Sequence, residues 1–76
     1  MKTKIYDDHG IEIFKEDERF FIQYDAGAHV VANRLDEISK ADAKLAMRGP
    51  QDAYHVLISL QKRLEAAGID PYKRNV

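Results

Sequence analysis

The sequence predicts an α+β domain: a four-stranded antiparallel β-meander in the N-terminal half, with two C-terminal α-helices packed on one face. Three observations predict it. Apolar and polar residues alternate with period two through the first half. Turn residues recur there every eight to ten positions. The second half switches to helical spacing, with cap and stop residues at its ends. A chain of 76 residues, 45% apolar and 33% charged, has room for one core and one domain. Its parts are a meander over 1–35, a helical pair over 39–68 and a polar tail over 69–76.

The first strand, Lys2–Tyr6, carries Ile5 and Tyr6 into the turn cluster Asp7-Asp8-His9-Gly10, where Gly10 accepts a positive φ. Ile11–Lys15 alternates as a second strand, and Glu16-Asp17-Glu18 is a charged turn. Arg19–Tyr24, aromatic and β-branched, is the third strand. Asp25-Ala26-Gly27 turns the chain again, and Ala28–Asn33 reads as the fourth strand.

Ser39 with Asp42 forms the weaker kind of capping box, opening a short helix from Lys40 to Met47. Gly49 caps that helix at its C-terminus and Pro50 opens the next. The second helix runs to Ala67 along a seam of Ala53, Leu57, Leu60, Leu64 and Ala67, widened by Tyr54, Val56 and Ile58. Gly68 and Pro71 end it, and Ile69 or Tyr72 pins the tail.

Alternation sorts the strand residues onto two faces. Ile5, Ile11, Ile13, Phe20, Ile22, Tyr24, Val30 and Ala32 would lie under Leu45, Leu57, Leu60 and Leu64. Tyr6, Phe14, Phe21 and Val31 would face the other way, among Lys4, Glu12, Arg19, Gln23 and His29. With no helix over them, three aromatic rings stand open to water, as anchors for a partner do.

Composition narrows the function. With no cysteine there is no disulfide, no thiolate nucleophile and no Cys-based metal site. No apolar run reaches the roughly 20 residues that span a bilayer, and Met1–Tyr6 lacks the apolar core of a signal peptide. The expectation is a cytoplasmic protein of a bacterium or a phage. No HExxH, Walker A or GxSxG pattern occurs, and Gly10, Gly27, Gly49 and Gly68 are too scattered to cradle a phosphate. His55 falls on the polar arc of the second helix with Asp52, Ser59 and Lys62. His9 follows Asp7 and Asp8, but neighbours in a turn need not converge on a metal. The reading is of a protein that is not an enzyme, with no catalytic residue, no metal and no cofactor.

Charge is uneven. Residues 1–42 carry ten acids against six bases, and 43–76 three against six, for a total of −1. Hairpin geometry would bring Glu16, Asp17 and Glu18 to the same end of the sheet as Asp36 and Glu37, just past the fourth strand. Solvated turns account for such acids in ordinary surfaces. Crowded together, they would also steer a basic protein into contact.

The expected function is therefore a small protein-binding module. Its most concrete form is an inhibitor, of the immunity, antitoxin or phage-encoded kind, that blocks a basic nucleic-acid-handling enzyme or complex. Tyr6, Phe14 and Phe21 would be its anchors, and Glu16, Asp17, Glu18, Asp36 and Glu37 its steering charges. One alternative is a structural homodimer paired through the open sheet face. Another is a weak RNA or single-stranded DNA binder, using Phe21 and Tyr6 with bases such as Lys44, Arg48, Lys62-Arg63 and Lys73-Arg74. Glu12 and the acidic turns stand against direct nucleic-acid contact.

Overall fold

The computed structural model describes residues 1–25 and 33–71. Four strands, β1 (Thr3–Asp8), β2 (Ile11–Glu16), β3 (Arg19–Asp25) and β4 (Asn33–Ile38), precede two helices, α1 (Lys40–Ala46) and α2 (Pro50–Ala66). The strands form one sheet in the order β1-β2-β3-β4, each antiparallel to its neighbour. The α+β meander with C-terminal helices is the predicted architecture.

Local chemistry sets the turns and caps. Asp8 pairs with Ile11 across a two-residue loop in which His9 (φ 51°) and Gly10 (φ 78°) both take positive φ. A type I′ turn requires this, and its twist matches the flanking strands. Asp7 and Asp8 therefore belong to β1 and not to the turn. Ser39 accepts a hydrogen bond from the Asp42 N–H at 3.0 Å and starts α1 as its N-cap. Gly49 is the N-cap position of α2, with Met47 ending α1, so the predicted C-cap role of Gly49 is corrected. Gly68, at φ 79°, closes α2 in a Schellman motif. There the Gly68 N–H donates to the Glu65 carbonyl at 3.0 Å, and the Ile69 N–H to that of Leu64 at 2.8 Å.

Both helices pack on one face. Ile11, Ile13, Phe20, Ile22, Tyr24 and Ile38 form the sheet half of the core, with Ile13 and Ile22 fully enclosed. Above them lie Ala43 and Ala46 of α1, which sits over β3, and Ala53, Val56, Leu60 and Leu64 of α2. The α2 seam is rotated from the predicted one: Val56 is buried, Leu57 half-buried and Ala67 exposed. Small residues at Ala43, Ala46 and Ala53 let the helices approach closely.

Two strand assignments are corrected. In β1 the register shifts between Lys4 and Tyr6, so that Lys4 faces Phe14 and Tyr6 faces Ile13. Ile5 is the extra residue of this β-bulge and stays 40% exposed, whereas Tyr6 turns to the helix side and packs against the core. The fourth strand is Asn33–Ile38, later than the predicted Ala28–Asn33. Val30, Val31, Ala32 and His29 lie outside the described residues, and Ile38 fills the core position expected of Val30 and Ala32.

The late β4 places charge under the helices. Tyr24 pairs with Arg34 and Ile22 with Asp36, so both charged residues share the face of the core. They form a buried two-pronged ion pair, Nε–Oδ2 at 2.9 Å and Nη2–Oδ1 at 3.2 Å. Arg34 Nη1 also donates to the Asp70 carbonyl at 3.3 Å, and the Tyr24 hydroxyl to the Pro71 carbonyl at 3.0 Å. The segment after α2 is thus held by its backbone. The exposed Ile69 does not hold it, and Tyr72 lies outside the described residues. Arg63 Nη2 reaches the Glu37 carbonyl at 3.1 Å and ties α2 to β4. No helix among the described residues is long and apolar enough to cross a membrane.

Removing one partner of the buried pair strands the other. Arg34→Met should cost about 3–5 kcal/mol in denaturant unfolding. Adding Asp36→Leu should recover most of that loss, leaving the deficit of the other hydrogen bonds of Arg34, that to the Asp70 carbonyl among them. A double variant no more stable than Arg34→Met alone would show that the pair is not the coupled unit.

Candidate functional site

The candidate site is the side of the sheet that α1 and α2 leave uncovered. Register orders its residues. Across the middle, from β1 to β4, run Lys4, Phe14, Phe21 and Glu37. Toward the β2–β3 turn, Glu16 sits beside Arg19. On the other side run Asp7, Glu12, Gln23 and Leu35.

The aromatic part differs from expectation. Phe14 and Phe21 do lie on this side, away from the helices, but Phe21 is only 8% exposed. Its cover is charged: Lys2 Nζ stands 4.7 Å from the ring centroid and Arg19 Cζ 5.3 Å from it. Long cationic side chains lay their stems on apolar surface and keep their heads in water, and the ring quadrupole adds about 0.5–1 kcal/mol per contact. Phe14 is half-buried and Leu35, which the expected β4 did not place here, is also half-buried. Tyr6 is on the opposite face. The open face therefore offers Phe14 and Leu35 as accessible apolar surface rather than three bare rings. The pairing of Phe21 and Tyr6 as stacking platforms on one face is likewise corrected.

The acids are dispersed by pairing. Glu37 is gripped by Arg19, Nη2–Oε1 at 2.8 Å and Nε–Oε2 at 3.2 Å, which holds its carboxyl below the ordinary value and pushes the guanidinium up. Glu16 meets the Met1 amine at 2.9 Å, which lowers its pKa. Asp36 faces the core with Arg34. Lys4 bridges to Glu12 at 2.8 Å and to Asp7 at 3.3 Å, and its pKa is raised by those hydrogen bonds, Glu12 first. Of the five acids expected to crowd one end, only Asp17 and Glu18 have no ion pair among the described residues. Asp17 takes φ 55° at the hairpin tip, a left-handed conformation that aspartate tolerates.

His9 and His55, the histidines among the described residues, do not converge on a metal site. Asp8 Oδ1 holds His9 Nδ1 at 2.6 Å, and Tyr6 donates to Asp8 Oδ2 at 3.4 Å. Burial, then the Asp8 charge, raises the Tyr6 pKa. His55 is exposed, edge-on to Tyr54 at 6.4 Å. Among the described residues no group of His, Asp or Glu could hold a metal ion, and no pocket opens. No family model, no curated protein and no solved structure matches the chain.

Two outcomes separate structural from exposed residues on this face. Phe21→Ala should destabilise the fold by about 3 kcal/mol and Phe14→Ala by about 1 kcal/mol, read by chemical denaturation. Equal losses would contradict the burial of Phe21. The folded pKa of Glu37 lies below its unfolded value of 4.5, so its contribution is present above that value and is lost as pH falls through the lowered one. Glu37→Gln should therefore shrink the fall in melting temperature between about pH 5 and pH 3, while leaving the neutral-to-alkaline limb unchanged.

Proposed function

We propose that the chain is a small protein-binding module that docks through the helix-free face of its sheet and acts by occupying a partner's surface. The observation that carries this reading is a sheet roofed on one side only, with half-buried Phe14 on an inner strand and half-buried Leu35 on the edge strand, among charged side chains. An apolar centre supplies the free energy of docking when a partner excludes water from it, and border charges set register and encounter rate. The ion pairs that cover the face are exposed and screened by solvent, so a partner displaces or shares them at small cost.

The concrete form is an inhibitor of a basic, nucleic-acid-acting protein. Its steering charges are reduced to Asp17 and Glu18, since Glu16, Asp36 and Glu37 already have cationic partners. Two turn carboxylates speed encounter but do not imitate a phosphate backbone, so affinity falls to the Phe14 centre.

With a partner captured from the source cell, Asp17→Asn/Glu18→Lys, which keeps a residue that tolerates the positive φ of position 17, should slow association several-fold at low salt and leave dissociation and melting unchanged. Phe14→Glu should abolish capture. An unchanged on-rate removes the electrostatic inhibitor, and full capture by a folded Phe14→Glu variant removes the face itself.

A further inference from the structure

The central row of the open face is antisymmetric. It reads cation, ring, ring, anion: Lys4, Phe14, Phe21, Glu37. A two-fold axis lying between two such faces, parallel to the strands, would reverse the strand order of one copy over the other. Lys4 then faces Glu37 of the second copy, Phe14 faces Phe21, and each relation recurs at its symmetry mate. The adjoining row obeys the same rule, since Glu16 and Arg19 are neighbours on β2 and β3 and would exchange partners across the axis. We propose that the partner of this face is a second copy of the chain, paired sheet to sheet about an axis parallel to the strands. This rests on the reading of the helix-free face as a docking surface.

The alternative two-fold axis, in the plane but across the strands, fits poorly. It sets Phe14 against Glu12 and Glu37 against Leu35, leaving a carboxylate over each apolar group. The strand-parallel axis puts ring on ring and charge on opposite charge in the central row and in the Glu16–Arg19 row, and sets Asp7 over Leu35 and Glu12 over Gln23 in the third. Isologous contacts require a self-complementary patch, and two of the three rows supply it. Stacked sheets cross at about 30°. At the outer strands this slides facing positions by about 4 Å, which lysine and glutamate side chains span.

The area limits the strength. A face of four strands and six residues is about 20 Å on a side. Two of them bury about 800 Å² of sheet face, below the roughly 1,200–2,000 Å² of stable interfaces. The dimer is therefore weak, with a dissociation constant of roughly tens to hundreds of micromolar. Phe21 adds little new burial, because Lys2 and Arg19 already cover it. Phe14 adds most.

Charge exchange tests the register. Sedimentation velocity of the wild type from about 5 μM to 1 mM should show a reversible monomer–dimer equilibrium. Lys4→Glu and Glu37→Lys should each weaken self-association by about tenfold or more, because each puts two like-charge contacts into its own dimer. Mixing the two variants should restore wild-type association in the heterodimer, where one contact is reversed and the other native. Far-UV circular dichroism confirms that each variant is folded. A wild type that stays monomeric throughout overturns the proposal, as does a dimer that neither substitution weakens or a mixture that restores nothing. A monomer whose capture of a foreign protein is abolished by Phe14→Glu keeps the docking face and removes only its self-pairing. Loss of neither points to the failure of the docking reading itself.

Discussion

Strand parity is the constraint on which the rest of this structure depends. Helices cover one side of the sheet, so once Phe20, Ile22 and Tyr24 are committed beneath them, Arg19, Phe21 and Gln23 are committed to the other side. Cross-strand pairing hands the same choice to β4, where Ile38 opposite Phe20 carries Asp36 and Arg34 inward with it. A one-residue slip of a strand would turn its core residues to water, at about 2 kcal/mol for each isoleucine or phenylalanine. Enclosing Arg34 and Asp36 together costs less than that, because each neutralises the other and an Nη1 N–H of the guanidinium meets the Asp70 carbonyl. The ion pair is thus a consequence of register. It also gives the edge strand a second task, since the same guanidinium holds the segment that follows α2.

What was legible in the sequence divides by the range of the interactions involved. Ser39 and Gly68 act within a few residues of themselves, and both stand where local chemistry puts them. Alternation in Ile11–Glu16 and Arg19–Asp25 is equally local, and those strands follow it. The fourth strand was misplaced for a physical reason. Val30 and Val31 look like a strand, whereas Asn-Arg-Leu-Asp-Glu-Ile looks like a solvated connection until Arg34 and Asp36 are seen to cancel. The bulge at Ile5 leaves no mark in composition, yet it reverses the side on which Tyr6 lies. Of the candidate site, the presence of Phe14 and Phe21 on one face was readable from parity alone. Their cover was not, because it comes from Lys2 on β1's leading end and Arg19 at the start of β3. The acidic cluster dissolved because Glu37 meets Arg19 on the neighbouring strand, Asp36 meets Arg34 on its own strand and Glu16 meets the Met1 amine, pairings that composition does not announce.

That layer of ion pairs places charge on the helix-free sheet face proposed as the docking surface. Arg19, held by Glu37, lies over Phe21, and Lys4 pairs with Glu12 on the same face. Each is weak and screened by salt, so each is exchangeable. On the proposed docking reading, a partner would have to bring charges in the right places before gaining the Phe14 and Leu35 surface, and specificity would come from that ordering.

Self-pairing and the acidic hairpin tip are compatible, and the geometry of the two-fold axis says why. An axis parallel to the strands keeps both copies' β2–β3 turns at the same end of the dimer. The two Asp17-Glu18 tips, unpaired in each copy, then stand about 10 Å apart, the spacing of packed sheets. That distance is close to the screening length at physiological salt, so their mutual repulsion is moderate, and it weakens as salt rises. The Lys4–Glu37 contacts weaken too, which leaves the apolar centre to decide the balance. Pairing would hide Phe14 while doubling the negative potential at one end. A basic partner would then meet the dimer at its acidic end, and would have to compete with the second copy only for contacts to the face itself.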